Sequence, residues 1–363
     1  MIKRKTEIDR HSDNAENDVP SATRKRRGSG RATIHDVAQM AGVGSITVSR
    51  YFKQPALVSD ALREKIAAAV KVLNYVPNLA AGGLASTHSR IVGMVIPNIS
   101  GPIFAHTIQS FSDTLNAHGY QLLLASSYFS VEQEEQAVRA FLGWSPAALV
   151  VTGQYHSRGT LQLLNKANIP VVETWDYQPK RRYMQVGFSH HRVGEQAVRY
   201  LLNKGYERIA FVQNSVVGDE SALDRRDGYA EVLREAGLQP QFFVPTQASP
   251  FDAGKQAIEA LALRKKDAVQ AIIFANDNLA AAAILAGQRA GIAMPSQCAL
   301  MGFGDYAMSS MLLPSLTTIR PPAREIGEIA AIRILESLGE IPVTKKIQRL
   351  TLLECDLLER ESA

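Results

Sequence analysis

Between Ser45 and Arg50 the chain sets three small hydroxyls (Ser45, Thr47, Ser49), a branched aliphatic (Ile46) and a guanidinium (Arg50) around one apolar position, Val48. Hydroxyls and a guanidinium donate to phosphate oxygens and base edges, so the chemistry within reach is recognition rather than bond-making. Two short elements must position these groups. Thr33 caps a first helix, with Asp36 as the acidic half of a capping-box-like pair. Ile34, Val37, Ala38 and Ala41 then recur at helical spacing, and Gly42 supplies a left-handed stop. Gly44 or Ser45 starts a second helix, with Val48 turned inward and Ser45, Ile46, Thr47 and Arg50 outward. Two helices, a tight glycine turn and an arginine-bearing second helix form a helix-turn-helix, whose second helix enters the major groove of DNA. Two-helix turns also occur in proteins that never touch DNA.

Composition narrows the remaining classes. The chain has 363 residues, 46% hydrophobic and 21% charged, an ordinary balance that supports two or three folding units. No apolar run is long enough for a bilayer and the charged N-terminus lacks a signal core, so a cytoplasmic protein with no membrane partner is expected. Cys298 and Cys355 suit a reducing compartment and read as small buried hydrophobes. Net charge is +5, unevenly placed: residues 1–32 carry nine Lys/Arg against five Asp/Glu, and residues 33–85 five against three. Positive charge is concentrated beside the two-helix module, where it neutralises phosphate. Residues 1–32 lack apolar periodicity and read as a disordered basic tail; Arg24, Lys25, Arg26 and Arg27 either add phosphate contacts or are a solvated tail. There is no nucleophile elbow, phosphate loop, zinc spacing or dinucleotide fingerprint, so neither an enzyme nor a metal or cofactor is expected. His156, His190 and His191 stand apart from any cysteine or carboxylate cluster and read as surface residues.

Beyond residue 88, apolar strand-like runs (91–96, 121–125, 147–151, 169–173, then 208–212, 242–244, 271–275, 299–303) alternate with helical segments such as 102–118, 190–204, 222–236, 252–263, 277–290 and 323–338. Such alternation predicts parallel sheets flanked by helices, in two α/β lobes with a ligand at the strand carboxyl ends.

The runs TIHDVAQMAGVGSITVSRYF and VSDALREKIAAAVKVLNYVPN resemble the N-terminal module of the lactose/galactose-repressor family of bacterial transcription regulators. The resemblance continues through IVGMVIPNISGPIFAHTIQSF, LVVTGQY, GYERIAFV, DRRDGYAEVLREAGL, IIFANDNLAAAAILAGQRAGIAMP, LMGFGD and PSLTTIRPPAREIGEIAA, and its flavour is that of the gluconate-utilisation repressors. It implies an all-α helix-turn-helix domain (33–78), a hinge (79–88) and a two-lobe domain like periplasmic sugar-binding proteins (89–361). It also implies crossover strands near Thr317–Pro321, with residues 323–338 returning to the first lobe. The partners it implies are double-stranded operator DNA, a small-molecule effector and a second copy of the chain, as a dimer or a tetramer.

The resemblance assigns roles by position. Ser45, Ile46 and Arg50 fall where relatives touch base edges; Arg50 suits guanine O6 and N7, while Ile46 offers apolar contact or simply packs. Thr47 and Ser49 fit phosphate contacts. Leu84 falls at a minor-groove wedge, but Gly82 and Gly83 are poor helix formers, so it is either that wedge or a linker leucine. Phe104, Gln154, Arg225, Asn276 and Asp305 fall around the effector cleft. Arg225 either clamps an anion or hydroxyl pair, or bridges to Asp224 or Asp227. Asp277 is the expected cap of the helix after Asn276, and Asp305 stands one position beyond the family's carboxylate. Cations and amides in this set imply a repressor controlled by a sugar acid such as gluconate. A catabolite-control type acting through a protein partner, or through a purine or neutral sugar, is the alternative.

Overall fold

The computed structural model describes residues 31–77, 89–99, 101–179, 182–263, 268–343 and 348–363. The tail residues Arg24 to Arg27 and the hinge residue Leu84 lie outside them. The described chain forms two units, one within Met1–Ala81 and one within Gly82–Ala363.

The first unit is three helices, α1 (Ile34–Ala41), α2 (Ser45–Lys53) and α3 (Asp60–Leu73). Its start and turn follow local chemistry. The Thr33 hydroxyl accepts from the Asp36 N–H while the Asp36 carboxylate accepts from the Thr33 N–H at 2.7 Å, closing a capping box. Gly42 then takes φ 66°, where a side chain would be strained. Val37, Ala38, Val48, Val58, Ile66 and Ala69 form a separate small core that fixes α2 across α1 and α3.

The second unit holds two six-stranded sheets, each in its own lobe. The first runs β11-β5-β4-β3-β1-β2, built from β1 (Ile91–Ile96), β2 (Gln121–Ser126), β3 (Ala148–Thr152), β4 (Val171–Thr174), β5 (Met184–Gly187) and β11 (Leu350–Leu352). The second runs β12-β10-β9-β8-β6-β7, from β6 (Ile209–Val212), β7 (Gln241–Phe243), β8 (Ala271–Phe274), β9 (Ala299–Phe303), β10 (Thr317–Arg320) and β12 (Asp356–Leu358). All pairings are parallel except β12 against β10. Helices cover the sheets: α4 (Ala105–Asn116), α5 (Val131–Leu142) and α6 (Arg158–Lys166) in the first lobe, then α7 (His190–Asn203), α8 (Glu220–Glu235), α9 (Pro250–Leu261) and α10 (Asp277–Arg289) in the second. Burial on both faces explains why the central strands read as continuous apolar runs.

The chain crosses between lobes after β5, after β10 and between β11 and β12. Thr317–Arg320 is itself a strand of the second sheet, and the crossing follows at Pro321 and Pro322. The returning helix α11 (Ala323–Leu338) packs on α4, β4 and β5. Gly327 lets the α4 backbone come close, and Thr107 Oγ1 donates to the Ala323 carbonyl at 2.6 Å. One expected element is trimmed: 102–118 opens as a 3₁₀ turn at Pro102–Phe104 before α4 begins. No helix among the described residues is long and apolar enough to cross a membrane.

Candidate functional site

On α2, Val48 is wholly buried, whereas Ile46 is 75% exposed and Arg50 is exposed; Ser45, Thr47 and Ser49 are half-buried. Ile46 therefore does no packing in this unit. Among the described residues no carboxylate pairs with the exposed Arg50 guanidinium. A short helix whose outer face carries hydroxyls, an isoleucine and an arginine, anchored by the buried Val48, presents the side chains a major groove can read.

The second candidate lies between the two lobes of the α/β unit, at the carboxyl ends of both sheets. There a cavity of about 680 Å³ opens, in the size range of small-molecule sites. Loops after β1, β2, β3 and β4 wall it on one side, and loops after β6, β8 and β9 on the other. Phe104, Gln154, Arg225 and Asn276 all line it. Asp305 does not. Gly304 and Asp305, at φ 131° and 50°, turn the chain so that the Asp305 carboxylate accepts from Arg320 Nε at 2.8 Å and Arg360 Nη2 at 2.6 Å. The expected cleft role of Asp305 is thereby replaced by an ion-pair role behind the second sheet.

Arg225, on the first half of α8, is the only side chain of fixed positive charge among the described cleft-lining residues, and it is buried. The alternative bridges to Asp224 or Asp227 are not made: Arg226 pairs with Asp227, and no carboxylate ion-pairs with Arg225 among the described residues. Its Nη2 donates to the Ala275 carbonyl at 3.1 Å, its Nη1 to His190 Nδ1 at 2.9 Å, and its plane lies 4.2 Å from the Phe303 ring centre. Its Nε is buried without a partner. Burial works against its charge and the nearby Asp219 favours it; a guanidinium stays cationic throughout.

His190, expected on the surface, is buried at the first turn of α7 and lines the cleft. Burial, reinforced by the Arg225 charge, holds it well below the ordinary histidine range, so it is neutral. Glycines create this meeting. Gly194 on α7 sits against the Arg225 carbonyl and Gly228 on α8 against the His191 carbonyl, so the two helices cross with almost no spacing. His191, half-exposed, lies 3.0 Å from both Glu195 and Glu231. It too belongs to a carboxylate cluster.

His156 is the third correction. Its side chain is fully enclosed, with Nδ1 at 2.8 and 3.0 Å from the two Glu134 oxygens and Nε2 at 3.6 Å from Glu173. Burial alone would lower its pKa, but the two carboxylates outweigh burial and push it up to about 9. The imidazolium pins the segment after β3, which carries Gln154 and Tyr155. Tyr155 Oη then donates to Asp224 on α8 at 2.9 Å and Gln154 Nε2 to the same carboxylate at 3.4 Å, joining the lobes across the cleft.

Two remaining expectations divide. Phe104 lines the cleft but is itself buried, edge-on to Trp175 with ring centres 4.8 Å apart. The cap of α10 is Asn276, whose Oδ1 accepts from the N–H groups of Asn278 and Leu279 at 3.1 and 3.2 Å. Asp277, expected as that cap, instead accepts from Ser309 and Thr318 and from the Tyr306 N–H, tying α10 to β10 and the loop after β9. Residues missed in the sequence are Trp175, His190, Glu134 with His156, and the Tyr155–Asp224 pair; only the Gly194 spacing from His190 hints at any of them.

The chain is similar to known proteins along most of its length. Residues 33–78 match the model for bacterial regulatory proteins of the lacI family, and residues 198–363 the periplasmic binding protein-like domain. The HTH-type transcriptional regulator GntR of Escherichia coli strain K12 is 32% identical over 87% of this chain and 95% of its own. A lacI-family transcriptional regulator from Silicibacter pomeroyi, solved by crystallography, superposes with a TM-score of 0.84 at 32% identity, covering 91% of this chain and 99% of that one. The crystal structure of GntR from Chromobacterium violaceum gives 0.69 at 31% identity over 75% and 98%.

Proposed function

The chain belongs to the lacI family of bacterial regulatory proteins, and from that premise we propose that it is a cytoplasmic repressor whose hold on operator DNA is set by a sugar acid in the inter-lobe cleft. In this reading Ser45, Ile46 and Arg50 meet base edges, Thr47 and Ser49 meet phosphates, and Leu84 of the 79–88 hinge wedges the minor groove of a site bound by a symmetric dimer. Residues 1–32 form the basic tail and 89–361 the sensing and dimerising body.

Arg225 carries the choice of ligand. A buried guanidinium with an unpartnered Nε and no ion-paired carboxylate calls for an anion, because a neutral ligand would leave that charge uncompensated in a low-dielectric site. The polar groups in the rest of the lining include amides, hydroxyls and carboxylates, among them Gln154, Asn276, Glu134 and Asp219, which suit a polyol chain beside the apolar wall of Phe104, Trp175 and Phe303. A molecule with a carboxylate at one end and hydroxyls along its length meets both demands. Ligand and DNA then act on one another's affinity reciprocally.

Titration calorimetry of the full chain with gluconate, glucose and adenine tests the ligand class. Gluconate heat that disappears in Arg225→Met supports it; binding of glucose or adenine with none of gluconate refutes it.

A further inference from the structure

We propose that His190 is a positioning residue for the cleft cation: a neutral imidazole in one fixed tautomer that sets where Arg225 presents its free N–H groups. The inference rests on the reading of Arg225 as the ligand's anion clamp and extends it to a residue that need not touch the ligand's charge.

The assignment follows from donor and acceptor counting. A guanidinium has five N–H donors and no acceptor, so the 2.9 Å contact from Arg225 Nη1 requires a bare Nδ1 on His190. The ring proton is then on Nε2, which donates to the backbone of Trp175 at the end of β4. One imidazole thus reaches from the first lobe's Trp175 to the second lobe's Arg225, at the point where the chain first passes between lobes. Aromatic neighbours hold its plane: the Phe188 ring centre is 4.6 Å away and that of Phe303 6.2 Å. Among the described residues the groups that face this imidazole are Arg225, the Trp175 backbone and those two apolar rings.

Arg225 is therefore held at three places: Nη1 on His190, Nη2 on the Ala275 carbonyl, and its face on Phe303. What remains is Nε–H and one hydrogen on each terminal nitrogen. A purely structural role for the pair is a poor explanation. A neutral ring beside a buried cation does nothing to offset the charge, whereas a carboxylate at the same place would both neutralise it and remove its use as an anion site. Neutral His190 fixes the guanidinium in space and leaves its charge unspent.

Asparagine and glutamine separate the two ends of the imidazole. In His190→Asn, Oδ1 falls close to Nδ1 and keeps the acceptor for Arg225 while losing the reach to Trp175. In His190→Gln, the longer amide keeps the reach to Trp175 and loses the acceptor at the Nδ1 position. With gluconate as the probe for calorimetry of the full chain, His190→Ala and His190→Gln should each weaken binding about tenfold or more, the scale of a hydrogen bond to a charged group, and His190→Asn should recover most of it. Thermal melts of the same proteins show whether affinity merely follows stability. Equal losses in Asn and Gln, or losses that track the melting temperature, overturn the proposal. A long-range proton–nitrogen spectrum of the unliganded wild type decides it independently of any ligand: a bare Nδ1 and protonated Nε2 on His190 are expected, and the opposite tautomer or an imidazolium overturns it. Absence of gluconate binding in the wild type counts against the sugar-acid reading alone, and the tautomer then still decides the role of His190.

Discussion

The buried Glu134–His156–Glu173 cluster makes stability of the first lobe fall at alkaline pH. An unfolded histidine titrates near 6.5, and in the folded protein His156 is pushed up to about 9. The folded state thus holds a proton that the unfolded state has released between those two values. The stabilisation is fully present below pH 6.5 and is lost as pH rises through about 9, with unfolding free energy falling by about 1.4 kcal/mol per pH unit and by about 3 kcal/mol in all. Both tryptophans of the chain, Trp144 and Trp175, lie in the first lobe, so tryptophan fluorescence reports the unfolding of that unit. Urea unfolding at pH 6.5, 7.5, 8.5 and 9.5 should show the slope in the wild type. His156→Gln, which keeps an N–H donor but no charge, should flatten it. Glu134→Gln, which removes the nearer carboxylate, should confine the loss to a narrower range starting near the same pH. A wild type and a His156→Gln protein with the same alkaline slope would refute the ion cluster as its source.

Two further outcomes follow from named contacts. Arg50→Ala should cost about 1–3 kcal/mol on the cognate operator and relax discrimination at one base pair, read by competition binding against operators varied base by base; an equal loss on random DNA would make Arg50 a phosphate contact instead. Gly194→Ala places a methyl against the Arg225 carbonyl, so α7 and α8 must part. It should lower stability by about 1–3 kcal/mol and weaken gluconate binding beyond what the stability loss explains, measured by melting and calorimetry together.

What the sequence disclosed is local, and what it hid is not. Thr33, Asp36 and Gly42 define α1 because a capping box and a left-handed stop act within a few residues. Ile91–Ile96 reads as a strand because it is apolar throughout and central in its sheet. Met184–Gly187, Leu350–Leu352 and Asp356–Leu358 escape notice because each is short and gains strand character only from a distant neighbour. His156 and His190 escape for the same reason: Glu134 is 22 residues from His156, and Arg225 is 35 from His190. Spacing cannot show contacts that exist only once a lobe has folded. Asp305 falls outside the cleft because the chain turns at Gly304 and sends the next side chain to Arg320 and Arg360. The cation and amides of the cleft were legible by resemblance, but the neutral ring that holds the cation was not.

Fluorescence anisotropy of a labelled fragment from upstream of the gene, titrated with the full chain in excess genomic competitor with and without gluconate, bears most directly on the link between cleft and DNA. A protein that works as proposed prefers that fragment to bulk DNA by about a thousandfold or more, and its isotherm shifts when gluconate is added. Superimposable isotherms with and without gluconate, in a protein that calorimetry shows to bind it, would contradict control of the DNA grip through the cleft.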